Sequence, residues 1–172
     1  MPSNGEVSVL DAFFQWLHET ALAETVRASP LLFPWVESIH VLAIALVVGS
    51  IAAVDLRLLG VASRSRPITR MIDDILPLTW TAFAIAALTG VTLFSSNAIQ
   101  YAHNGPMRLK MLLLAIAGLN MLVFHFVTYR SVSAWNEAPR TPLPVRLAGG
   151  ASLALWVGIV AFGRWIGFTI GS

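Results

Sequence analysis

Apolar residues dominate four stretches of this chain, each close to the roughly 20 residues that a helix needs to cross a bilayer core. Trp35 to Leu59 has no charge between Glu37 and Asp55, and Pro77 to Ser96 opens on a proline suited to a first helical turn. Met107 to Tyr129 is interrupted only by Arg108, Lys110 and His125, and Leu147 to Phe168 carries Arg164 near its end. A different pattern precedes them. Between Ser8 and Ala28, the residues Leu10, Phe13, Phe14, Leu17 and Ala21 recur at helical spacing, while Asp11, Gln15, His18 and Glu19 fall largely on the opposite side. That alternation predicts an amphipathic helix lying in the membrane interface. Ser8 is its expected N-cap, Pro30 and Pro34 separate it from the first span, and His18 reads as a solvated polar-face residue. The expected fold class is all-α: an integral membrane four-helix bundle over residues 35–172, preceded by an interfacial amphipathic segment over residues 1–34. No basic start followed by a compact apolar core marks a secretory signal.

Composition agrees with a bilayer as solvent and partner. Of 172 residues, 56% are apolar and 12% charged, about half the charge of an ordinary soluble domain. Cysteine is absent, which excludes disulfides, thiolate metal sites, iron–sulfur clusters and cysteine nucleophiles. The net charge of +2 does not make a nucleic-acid surface. Arginine sets the orientation. Arg57, Arg64, Arg66 and Arg70 follow the first span and Arg130, Arg140 and Arg146 the third, whereas residues 97–105 between the second and third hold no Lys or Arg. The positive-inside rule then places both arginine-rich connections in the cytoplasm and both termini outside. Trp35, Trp165 and Trp80 suit aromatic belts at the two interfaces.

Ionisable residues within spans are costly and mark candidate sites. His40 and Lys110 lie in the outer part of the first and third spans. Asp55 follows His40 by 15 residues, and His125 follows Lys110 by 15. Fifteen residues leave the two ends of each helix only about 60° apart. If the two faces meet, His40 is level with Lys110, and Asp55 with His125. The outer constellation is Glu37, His40, Lys110 and Arg164, with His103 on the loop above. A possible second, inner site comprises Asp55, Arg57 and His125, with Asn120 deeper. Small residues spaced by four, such as Ala45 and Gly49, Ala154 and Gly158, and Gly163 and Gly167, permit close packing or contact with a second copy or a larger complex.

Histidine beside two cations suits haem b, with imidazole on iron and Lys or Arg on the propionates. On this reading His40 is the ligand, Lys110 and Arg164 hold propionates, and His103 is a candidate second ligand. A His40–His125 pair on one iron fails, because helical rise separates them by about 20 Å. A second haem would use His125 and Arg57. Copper is the alternative cofactor, drawing on His40 and His103 with the thioethers of Met107 and Met111. A structural reading stands beside both: interfacial charges, a snorkelling Lys110, and an Asp55–His125 hydrogen bond locking the first span to the third. A conducting path is disfavoured by the lack of an acidic chain across the membrane. No GxSxG, Walker A, HExxH or GxGxxG pattern occurs, so no catalytic residue is assigned.

Glu37-Ser-Ile-His40, Val54-Asp-Leu-Arg-Leu-Leu-Gly60, Met107-Arg-Leu-Lys-Met111 with Asn120 and His125, and Gly163-Arg164 resemble a family of small, uncharacterised bacterial four-helix membrane proteins. The likeness covers most of the chain and brings no activity with it. His40 and Lys110-Met-Leu-Leu-Leu114 are similar to features of bacterial membrane-bound, haem-containing protoporphyrinogen oxidases, although those enzymes' aromatic and arginine-rich motifs are missing. A histidine early in an apolar span is also similar to inner-membrane copper-resistance proteins. These resemblances imply a bacterial inner-membrane location and favour haem. The expected function is electron transfer with a quinone or a periplasmic redox partner.

Overall fold

Apolar length decides the architecture of the computed structural model, which describes residues 9–62, 67–136 and 141–170. Ser8, Arg64, Arg66 and Arg140, named above for capping and orientation, lie outside the described residues. Two short helices, α1 (Val9–His18) and α2 (Ala21–Ala28), come first. Then follow α3 (Leu32–Leu58), α4 (Ile68–Ser96), α5 (Ala98–His103), α6 (Gly105–Val123), α7 (Val132–Trp135) and α8 (Leu143–Thr169). Four helical segments are long and apolar enough to cross a membrane: α3, α4, α8, and α6 with its continuation to Ser131.

The bounds differ from the expected ones for local reasons. The amphipathic segment is two helices, because Thr20 ends one and caps the next: its hydroxyl donates to the Leu17 carbonyl at 2.8 Å and accepts from the Ala23 amide. The first span starts at Leu32, with Pro34 inside its first turn, where a missing N–H removes no helical bond. α4 starts at Ile68, so Pro77 lies inside the helix rather than at its start. The polar run Arg70, Asp73 and Asp74 disguises those first turns as a loop. α8 likewise begins at Leu143, one turn before the apolar run. Beyond α6 the chain makes a π-turn over Phe124–Thr128 and a 3-10 turn over Tyr129–Ser131, so His125 sits in widened helix.

The four spans are ordered α4–α3–α8–α6. α3 packs on α4 and α8, and α6 packs on α8 without running along α3 or α4. The first and third spans therefore do not meet face to face, contrary to the simplest reading of their matched polar positions. α6 buries no residue completely, as a peripheral helix facing lipid would. Polar side chains tie the neighbours: Thr79 donates to Ser50 between α4 and α3 at 2.8 Å, and the Asn120 amide donates to the Ala148 carbonyl between α6 and α8 at 3.1 Å. In an apolar solvent such bonds supply specificity that hydrophobicity cannot.

The best-packed region is the end where α3 leads towards α4. Leu58, Ile68, Trp135 and Val145 form a buried cluster there. Thr141 donates to the Leu58 carbonyl at 2.6 Å. At the opposite end, hereafter the cap end, α2 packs on α4 and α1 on α5. Rings of Phe14 and Phe94 lie 5.9 Å apart, and Phe94 stacks on Tyr101 at the same spacing. The amphipathic segment is thus docked on the bundle, while Phe13, Trp16 and Leu22 remain exposed.

Candidate functional site

His40 lies eight residues into α3, near the cap end, and its ring faces α4. Nδ1 is 2.9 Å from the Thr89 hydroxyl oxygen. That hydroxyl donates its own proton to the Ile85 carbonyl at 2.6 Å, so its oxygen accepts from Nδ1–H. In the neutral ring Nε2 then carries the lone pair, because the hydrogen bond on one imidazole nitrogen fixes the role of the other. Gly90 makes room for this arrangement. A Cβ there would stand 2.9 Å from His40 Cε1 and 3.5 Å from Nδ1.

Lys110 approaches from α6. Its aliphatic stem rests against Gly163 of α8, where an added Cβ would lie 3.5 Å from Nζ and 3.7 Å from Cδ. The ammonium is close enough for its charge to act on the His40 ring. Lys110 is seated against α8, and α6 does not run along α3. Above them Glu37 is exposed, and its carboxylate acts on Tyr101. Burial first, and then that negative charge, push the Tyr101 hydroxyl above the ordinary phenol range.

The remaining outer candidates do not join this pair. His103 is exposed and its Nε2 lies 3.4 Å from the Asp11 carboxylate, fastening α5 to α1. Arg164 is exposed and turned over the Phe168 ring, 5.8 Å from its centroid. Met111 is also exposed. Among the described residues, no group of three or more His, Cys, Asp or Glu side chains is placed to hold a metal ion.

The inner set separates as well. Asp55 is 5% exposed and lies beside Ser152 of α8, and its Oδ2 has no hydrogen-bond partner among the described residues. Gly149 lets α8 come this close: a Cβ there would meet Leu58 Cβ at 3.1 Å and the Asp55 carbonyl oxygen at 3.2 Å. Arg57 is buried at 2%. His125 is exposed and stacks on Tyr129, with ring planes 9° apart. The expected Asp55–His125 lock is not formed: Asp55 faces Ser152 of α8, and His125 is turned to Tyr129. Asn120 faces α8, as described. Of the small-residue pairs, Gly163 and Gly158 receive Lys110 and Leu113, whereas a Cβ at Gly49 or Gly167 would meet nothing within 4 Å.

Thr89, Gly90 and Ser152 were not among the expected site residues. None is ionisable, and Thr and Gly are common in membrane helices. The adjacent Thr89-Gly90 pair, a hydroxyl beside a missing side chain, is the one signal that marks a place for a ring from a neighbouring helix.

A family model described as "Family of unknown function (DUF6644)" matches residues 13–169. No curated protein and no solved structure matches the chain.

Proposed function

The chain belongs to the DUF6644 family, and for this membrane-embedded, all-helical member we propose a haem b site in the cap-end half of the bundle. His40 is its axial ligand and Lys110 its propionate partner. The observation that carries this reading is the His40–Thr89 bond at 2.9 Å. A metal-binding imidazole is characteristically held through its second nitrogen by an acceptor, which fixes tautomer and ring direction. Thr89, with its proton committed to Ile85, is such an acceptor. Lys110 brings the cation that a propionate needs, at the same depth.

The fit is partial, and the site is smaller than the sequence suggested. Arg164 and His103 are engaged elsewhere, so His40 is the single histidine ligand and Lys110 the single cation in this reading. Haem bound there supplies one-electron chemistry, and the protein tunes it through ligand identity, burial and propionate pairing. His40 orients the ring plane, Thr89 holds the Nδ1 proton, and Lys110 neutralises carboxylate charge. With the arginine-rich connections in the cytoplasm of a bacterium, the site faces the outer half of the inner membrane, suited to exchange with a quinone or a periplasmic redox protein. Copper has no observation in its favour, because His103 is paired with Asp11 and Met111 faces outwards.

The test is a comparison of two histidine variants in protein expressed with ample haem supply. His40→Ala should abolish the Soret band and the pyridine-haemochrome signal. His125→Ala, whose ring stacks on Tyr129 at the other end, should keep both. Equal loss in the two variants, or retention in His40→Ala, overturns the assignment.

A further inference from the structure

A second group of polar side chains gathers at the cap end, away from His40. His18 of α1, Arg27 of α2, and Asn97, Ile99 and Gln100 around the start of α5 line an open cleft of about 310 Å³. Arg27 is anchored on one side only. Its Nη1 donates to the Ser96 carbonyl, at the end of α4, at 3.2 Å and lies 3.0 and 3.2 Å from the two ring nitrogens of His18. It also reaches the His18 carbonyl at 3.4 Å. Every one of these bonds leaves from Nη1, so the Nε–Nη2 edge of the guanidinium is uncommitted to any described residue. That edge is the fork that binds two oxygens of a carboxylate or phosphate.

The rest of the cleft matches in polarity. A ring nitrogen of His18 that accepts from Nη1 leaves the other as an N–H donor in the neutral ring. The Asn97 and Gln100 amides line the same space and have no hydrogen bond to another described residue. Among the described residues no carboxylate lines this cleft: Asp11 is paired with His103, and Glu19 and Glu24 are exposed and form no ion pair with Arg27. The cleft therefore offers donors and a positive charge. Its position narrows the class of ligand. Trp16 and Leu22, on the two helices that carry His18 and Arg27, are 62% and 57% exposed. An amphipathic segment with such a face lies at headgroup depth, where phosphodiesters are the abundant anions.

We propose that His18, Arg27, Asn97 and Gln100 form a binding site for a phosphate-type oxyanion at the membrane surface. The fork of Arg27 is its centre, and the bond to Ser96 holds that fork in place. The phosphate can belong to a phospholipid headgroup or be free in solution, and the two sources are separable. Occupation by a lipid would brace α2 against the end of α4.

The experiment uses the full chain in maltoside micelles stripped of phospholipid, with ¹⁵N-labelled arginine, following the Arg27 Nε–H resonance. The probes are inorganic phosphate, a short-chain phosphatidylglycerol, and a short-chain diacylglycerol as the phosphate-free control, all at constant ionic strength. A saturable shift with the first two supports the proposal with either source; a shift with phosphatidylglycerol alone supports it with the headgroup as ligand. Arg27→Gln, read through the backbone amide at residue 27, should weaken binding about tenfold or more, the loss expected for a charged hydrogen-bonding group. Asn97→Asp leaves the Arg27–Ser96 bond intact and should weaken it through charge alone, which decides the matter if Arg27→Gln fails to fold. Absence of a saturable shift with both phosphate probes, an equal shift with diacylglycerol, or unchanged affinity in Asn97→Asp overturns it.

Discussion

Gly149→Leu is expected to lower the stability of the bundle by about 3 kcal/mol or more, the upper range for forcing volume into a tight contact. Even the first added carbon would stand 3.1 Å from Leu58 Cβ and 3.2 Å from the Asp55 carbonyl oxygen. The second of these neighbours is backbone in the last turn of α3, where it accepts from the Leu59 amide at 2.8 Å, and it cannot swing aside. The remaining leucine atoms would push α8 off α3 next to the Leu58, Ile68, Trp135 and Val145 cluster. They would also crowd the buried Asp55 carboxylate, whose Oδ2 already lacks a partner among the described residues. Unfolding by heat or by sodium dodecyl sulfate in mixed micelles, followed by helical circular dichroism, measures the loss. Gly49→Leu is the control, because a Cβ there meets nothing within 4 Å. Equal stabilities for the two variants would show that the α3–α8 contact is not as close as described.

Gly90→Ala is expected to act in the opposite way, sparing the fold and damaging the site. Alanine is the better helix residue by roughly 1 kcal/mol, and the three atoms nearest its methyl all belong to the His40 ring. At 2.9 Å from Cε1 it forces the ring to rotate off Thr89. Loss of the partner that orients a metal-binding histidine typically costs 10–100-fold in metal affinity. Haem affinity should therefore fall by about that factor while the unfolding midpoint stays or rises. Thr89→Val should reproduce the loss by removing the acceptor, and Thr89→Ser should restore it. A Gly90→Ala protein that binds haem as tightly as the natural chain would contradict the role given to the His40–Thr89 contact.

The number of spans was legible in the sequence because lipid imposes a length that soluble folds do not. Helix ends were less so. Pro77 looked like a beginning because Asp73 and Asp74 precede it, yet charged first turns extend a membrane helix into the interface without breaking it. Which faces meet was the least legible. Lipid is as apolar as leucine, so the buried Ala43 and Val47 of α3 look in sequence like the exposed Val41 and Leu42 beside them. Matching His40 with Lys110 and Asp55 with His125 by depth assumed that the first and third spans meet. It missed that α8 lies between α3 and α6, and so missed Ser152 and Gly149. Arg164 and His103 shared the depth of the site but not its direction. Thr89 escaped notice because a hydroxyl carries no charge to follow.

If His40, held through Nδ1 by Thr89, binds haem b, optical titration of the purified chain with haem in mild detergent will show it. A Soret band that saturates at one haem per chain and shifts on reduction with dithionite is expected. Absorbance that rises in proportion to added haem with no saturation, as for free haem in micelles, would contradict it.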